Sequence, residues 1–210
     1  QGYSATNTFY NNMAYFCICT FGGSEDLISL YNRFEEQQIK DLRLDAFFEV
    51  IGDEQYKISK VGEKVYDCFV IRSAELYLNK AEAEAMLDKV EAVQTIKTLL
   101  NNRFEGGIPD VDGLSGKDLV SFIRDERRRE LCFEAHRWFD LRRYAVSPKY
   151  PEKKSIRHTA YDIKGKLEGD YVLKPYGEDP AWVLPIPGYE IVYNQDNLVD
   201  NPQRVERELE

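Results

Sequence analysis

The chain has 210 residues, enough to bury a core in one ordinary domain or in one and a half small ones. With 43% hydrophobic and 31% charged residues its composition is globular, and a net charge of −9 argues against nucleic acid as a partner. No apolar run is long enough to span a bilayer.

Taken in chain order, residues 1–24 are polar and aromatic and read as loop or short strands around Met13–Ile18. The opening Gln1-Gly2-Tyr3-Ser4 has neither the basic start nor the apolar stretch of a signal peptide. Ser24 can cap a short helix carrying Leu27, Leu30, Tyr31 and Phe34 at helical spacing. Leu44, Phe47, Phe48, Val50 and Ile51 are expected to form a strand, with Gly52-Asp53 as its turn.

From Val70 the pattern becomes steadily helical: Val70, Ala74, Tyr77, Leu78, Ala81 and Ala85 mark one face, and short alanines let a neighbouring helix come close. A second helix runs through Val93, Ile96, Leu99 and Leu100 and stops before Gly106-Gly107. A hairpin of this size is the unit of a tetratricopeptide repeat of about 34 residues. Ser115 and Asp118 read as a capping box opening a third helix, from Gly116 to about Glu134. A fourth, around Arg137 to Tyr144, is expected to pair with it as a second hairpin.

Beyond Pro148, Ile156–Ile163, a Lys164-Gly165-Lys166 turn and Tyr171-Val172-Leu173 read as a β-hairpin. Leu184-Pro185-Ile186-Pro187 reads as an extended segment, because each Pro removes a donor. The tail from Gln195 is polar apart from a last turn at Val205–Leu209. The predicted fold is mainly α: tetratricopeptide-like helix hairpins with loops and a small β-hairpin near the C-terminus. Residues 1–66 form an irregular region and 67–210 the helical-repeat region. Cys17, Cys19, Cys68 and Cys132 read as small buried hydrophobes and not as a disulfide framework.

The stretch Arg124–Arg143 holds seven Arg and five acids in 20 residues. A solvated face of i, i+4 pairs is the ordinary reading of such a run. However, the apolar stripe Leu119, Phe122, Ile123 projects forward onto Glu126 and Glu130. In phase, these two carboxylates point inward and need partners. Arg72 and Arg103 are the candidate partners, since a guanidinium meets a carboxylate with two hydrogen bonds. A structural ion-pair network of Arg72, Arg103, Glu126 and Glu130 is therefore preferred over a glycosidase pair of Glu126 and Asp140.

Three motifs make the chain recognisable. Ile71-Arg72-Ser73-Ala74-Glu75-Leu76-Tyr77-Leu78-Asn79-Lys80-Ala81-Glu82-Ala83 is the first. The second is Asp125-Glu126-Arg127-Arg128-Arg129-Glu130-Leu131 with Phe133-Glu134 and Arg137-Trp138-Phe139-Asp140-Leu141-Arg142-Arg143. Leu184-Pro185-Ile186-Pro187 followed by Glu190-Ile191 and Asn201-Pro202 is the third. Together, and in this order, they resemble the C-terminal portion of the SusD/RagB family. One departure is Ala135, where the family pattern carries Gly, a change read as compatible with helix.

The resemblance implies an α-rich, tetratricopeptide-like protein held by a lipid anchor on the outer membrane of Bacteroidetes-type bacteria. It implies non-catalytic capture of glycans at the cell surface for a SusC-like, TonB-dependent transporter. The family's lipidated Cys and N-terminal half have no counterpart in these residues. No catalytic residue, metal ligand or cofactor is expected. The two histidines, His136 and His158, lie in different elements, and Asp110-Val111-Asp112-Gly113 lacks the further ligands of a calcium loop. Residues 1–66 are expected on the ligand-facing side, with Tyr3, Phe9, Tyr10, Tyr15 and Phe16 as candidate ring contacts for sugars. The alternative is a repeat scaffold that binds the transporter and makes no glycan contact of its own.

Overall fold

The computed structural model describes residues 22–51, 55–60, 72–162, 167–194, 197–202 and 209. Cys17, Cys19, Cys68, the two predicted turns at 52–53 and 164–166 and the turn expected at Val205 lie outside these residues. The fold is mainly α with three small two-stranded antiparallel sheets. The chain divides into two compact units, Gln1–Arg137 and Trp138–Glu210.

In the first unit, helix α1 (Glu25–Asn32) begins where the Ser24 hydroxyl accepts from the Leu27 amide, with Glu25 and Asp26 in its positive first turn. It buries Leu27, Ile28, Leu30 and Tyr31, which with Phe48 and Cys132 form a core. Phe48 makes T-shaped contacts with three rings, Tyr31, Tyr56 and Phe133. Strand β1 (Lys40–Asp41) is followed by helix α2 (Leu42–Phe47), whose N-cap is Asp41. Leu44 and Phe47 therefore lie in a helix and not in the predicted strand: three residues apart, they share a helical face, and only the four residues Phe48–Ile51 are extended. Strand β2 (Phe48–Ile51) pairs with β3 (Gln55–Ile58) in the register Phe48↔Ile58.

Helices α3 (Ser73–Met86) and α4 (Glu91–Leu100) form the predicted hairpin. Strand β4 (Phe104–Glu105) returns to pair with β1. Gly106 sits at φ +84 where a Cβ would fall 2.3 Å from the Gln38 carbonyl oxygen, so only glycine fits. Helix α5 (Gly116–Glu130) lies against α3, where Ala81 and Ala85 are fully covered.

Two details differ from expectation. The Ser115 hydroxyl makes no cap bond; only its carbonyl engages the first turn, and Asp118 is a methylene shorter than the Glu or Gln that closes a capping box. The helix also stops at Glu130, because Phe133 and Ala135 adopt left-handed φ of 59° and 63°. Ala135 thus stands in a turn and not in a helix, and the glycine of the family pattern suits this backbone. Helix α6 (His136–Ala145) follows.

The unit boundary falls inside α6. In the second unit, β5 (Ile156–Tyr161) and β6 (Leu167–Leu173) form the predicted hairpin, with Ile156 opposite Leu173 and a bulge at Ala160/Tyr161. Trp182 is buried in a 3-10 turn; its indole donates to the Lys174 carbonyl at 2.7 Å and it stacks on Trp138 at 4.4 Å. Leu184–Pro187 has no regular structure, in keeping with its prolines, and a short helix α7 (Gly188–Tyr193), unforeseen in the sequence, comes next.

Candidate functional site

Glu126 and Glu130, one turn apart on α5, have no exposed surface. Glu126 receives the Arg43 guanidinium on both oxygens and two bonds from Arg129, at 3.0 and 2.6 Å. Glu130 binds three guanidinium groups. Arg103 meets it as a fork at 2.7 and 3.0 Å, Arg72 at 2.6 Å and Arg43 at 3.0 Å. Asp41 completes the set by accepting two bonds from Arg43, at 2.9 and 2.7 Å. Arg43 thus lies among three carboxylates, and Arg129 packs against the faces of Phe34 and Phe122.

The network extends over the end of α5. Lys60, itself buried, donates to the carbonyls of Glu130 and Cys132 at 2.7 and 3.1 Å and pairs with Glu134. Arg72 also donates to the Glu130 carbonyl and to Glu134. Four carboxylates (Asp41, Glu126, Glu130, Glu134) meet five cations (Arg43, Lys60, Arg72, Arg103, Arg129). The extra positive charge is met by carbonyls at the negative end of the helix dipole. The Tyr31 hydroxyl closes the same end, donating to the Arg129 carbonyl at 2.7 Å beside the Cys132 thiol at 3.3 Å.

These contacts define what the carboxylates can do. Burial alone would push Glu126 upward, but Arg43 and Arg129 outweigh it and hold the group at about 2. Glu130 is lowered for the same reason, burial being overcome by Arg103, Arg43 and Arg72. Both are ionised at any physiological pH, and every oxygen is occupied by a guanidinium. A general acid needs the opposite environment. The arrangement locks α5 to the segments bearing Asp41, Lys60, Arg72 and Arg103.

A second ladder joins α3 to α5. Glu75, Asn79 and Glu82, spaced four and three residues apart on α3, face the arginines of α5. Arg127 reaches Asn79 at 2.8 Å and Glu75 at 3.6 Å, and Arg124 reaches Glu82 at 3.2 Å. Two of the sequence motifs are therefore the two halves of one helix–helix contact.

Arg72, Arg103, Glu126 and Glu130 are brought together in one network. Asp41, Arg43, Lys60, Arg129 and Glu134 belong to it too and were missed. Arg129 carried a signal, standing three residues after Glu126 on the same face; Arg43 carried none, since it arrives from a segment 83 residues away. Tyr3, Phe9, Tyr10, Tyr15 and Phe16 lie outside the described residues. Cys132 is a buried free thiol, pushed up by that burial. Among the described residues, no group of His, Cys, Asp and Glu is placed to hold a metal ion, and no helix is long and apolar enough to cross a membrane.

The sequence model of the SusD family matches residues 42–203, which include every member of this network except Asp41. The chain belongs to the SusD family. A SusD-like protein of Formosa agariphila is 34% identical over 113 residues, covering 50% of this chain and 21% of that protein. A second SusD-like protein of the same organism is 28% identical over 147 residues, covering 63% and 25%. The chain thus spans a fifth to a quarter of the length of these curated relatives. The crystal structure of a SusD-like carbohydrate-binding protein from Bacteroides vulgatus shares the fold at a TM-score of 0.54 and 19% identity, over 84% of this chain and 41% of that one. In SusD terms, the Glu–Arg network and the α3–α5 ladder are where the family's helical motifs meet.

Proposed function

We propose that the protein captures oligo- or polysaccharide at the bacterial cell surface, without chemical change, for delivery to a SusC-like, TonB-dependent outer-membrane transporter. The match to the SusD family over residues 42–203 carries this reading. The neighbour of like fold described as carbohydrate-binding supports it, as does the full commitment of Glu126 and Glu130 to guanidinium partners, which leaves neither free for glycosidase chemistry. Attachment to the membrane is assigned to a lipid anchor, as the family resemblance implies. Tyr3, Phe9, Tyr10, Tyr15 and Phe16 are assigned to stacking on sugar rings.

Affinity electrophoresis of the complete precursor against a panel of polysaccharides tests this, with Tyr10→Ala and Tyr15→Ala beside wild type. Retardation in at least one gel is expected, and weaker retardation of the variants. Absence of retardation in every gel would overturn the capture reading. A second reading, a repeat scaffold whose partner is the transporter, draws on the exposed outer face of α3, where Leu76 and Tyr77 stand in solvent. Recovery of the transporter on the immobilised chain, with no glycan bound, would favour it.

A further inference from the structure

The connection between strand β4 and helix α5 carries a chemistry that glycan capture does not use. Asp112-Gly113 is the one Asp-Gly pair in the chain, and Asn-Gly does not occur. The two residues are the centre of a tight turn, closed where the Leu114 amide donates to the Val111 carbonyl at 3.2 Å. Val111 has no exposed surface and pins the turn, while Asp112 and Gly113 stand in solvent.

The Gly113 nitrogen is open. Glycine has no Cβ to shield it. A Cβ built there would meet nothing within 4 Å, and the Gly113 amide donates to none of the described residues. Asp110 lacks such a neighbour, because Val111 follows it and a branched, buried side chain crowds that nitrogen. One contact restrains the pair. Lys97, on α4, donates to both carboxylate oxygens of Asp112 at 2.5 Å. Attack on the carboxyl carbon would expel one of these oxygens as water, so the Lys97 pair has to open first.

We propose that Asp112-Gly113 is a site of spontaneous aspartate isomerisation, paced by Lys97. The Gly113 nitrogen bonds to Asp112 Cγ, and one carboxylate oxygen departs as water, taking the amide hydrogen and a solvent proton. A second water then bonds to the main-chain carbonyl carbon of Asp112 and breaks its bond to the Gly113 nitrogen. The chain now runs through the former side chain, one methylene longer, and the free carboxylate sits on Cα. Mass is unchanged, but the carboxylate has left the position in which Lys97 held it. The slack enters just ahead of Ser115, where α5 begins. The change therefore ages the connection that leads into α5, whatever the protein binds.

The test stores the full chain in neutral buffer for weeks and maps it with trypsin. Cleavage after Arg103 and Lys117 releases Phe104–Lys117, which holds Asp110 and Asp112 together. A product of equal mass and altered retention is expected, cut by an aspartate-specific protease ahead of Asp110 but no longer ahead of residue 112. Gly113→Ala, which the open space accommodates, should suppress it. Lys97→Met should raise its rate about two- to fivefold, the range that one exposed ion pair supplies. Lys97→Arg, which keeps the pair, should convert at the wild-type rate, and melts before storage show that each variant is folded. Absence of the isomer in stored wild type overturns the proposal, as does isomerisation at Asp110 instead or equal conversion in Gly113→Ala. Conversion of Lys97→Met no faster than wild type removes the pacing by Lys97 and overturns the proposal in that form.

Discussion

Under helix α1 and along α5 in the first unit, charged side chains are buried completely: Glu126, Arg129 and Glu130 have no exposed surface. Along α7 in the second unit, large apolar side chains stand in solvent. Each placement is unfavourable unless something meets the group. For the charges, the protein itself meets them: every carboxylate oxygen of Glu126 and Glu130 has a guanidinium partner. For Tyr189 and Tyr193, solvent is the neighbour in the isolated chain. The first arrangement is closed and holds the fold; the second is open and adds little to it.

The strongest way to break this contrast is to remove one carboxylate. Glu126→Ala leaves Arg43 and Arg129 buried without their shared anion and should destabilise by about 3–5 kcal/mol. Thermal unfolding should show a Tm lower by roughly 6–20 °C. A loss under about 1 kcal/mol would mean that the pair is solvated after all.

Acid attacks the same network without mutation. The carboxyl of Glu126 is held at about 2 in the fold, below the ordinary glutamate value of 4.5. A depressed carboxylate contributes stability that is fully present above its unfolded value and is lost as pH falls through the folded one. Glu126 should therefore contribute on the order of 3 kcal/mol at neutral pH. That contribution should decline between about pH 4.5 and pH 2, with Glu130 adding in the same direction. Melts of wild type and Glu126→Gln across this range should converge at the acid end. Curves that stay parallel would sink the assignment.

A smaller effect is expected at the turn after α5. Ala135 sits at φ 63°, where an L side chain is strained and glycine is not. Ala135→Gly should stabilise by about 0.5–1 kcal/mol net, strain relief being partly offset by the freedom glycine regains on unfolding. Phe133, equally left-handed, is a control of opposite sign, because Phe133→Gly also removes a ring packed on Phe48. Chemical denaturation of both variants reads the difference.

Legibility followed periodicity. The stripe Leu119, Phe122, Ile123 pointed Glu126 and Glu130 inward because α5 keeps one phase from Gly116 to Glu130. The α3–α4 hairpin and the β5–β6 pair were readable on the same grounds. Arg43 was not, since its glutamate partners lie more than eighty residues away and Leu44 and Phe47 fit a short strand as well as a short helix. The end of α5 was misplaced because left-handed Phe133 and Ala135 break the helix without glycine or proline to announce it. Helix α7, six residues long and led by two prolines, is too short for a periodic signal, so the exposure of Tyr189 and Tyr193 emerged only from the structure.

The smallest effect on stability is the one that separates the two regions most cleanly. Tyr193→Ala removes a ring that is 81% exposed, so unfolding free energy should change by no more than about 0.5 kcal/mol. Tyr31→Phe removes only a hydroxyl, yet that hydroxyl donates to the Arg129 carbonyl inside the core, and its loss should cost about 1 kcal/mol. If Tyr193→Ala destabilises by more than Tyr31→Phe, α7 is part of a closed interior, and its tyrosines belong with the buried charges as elements of the fold.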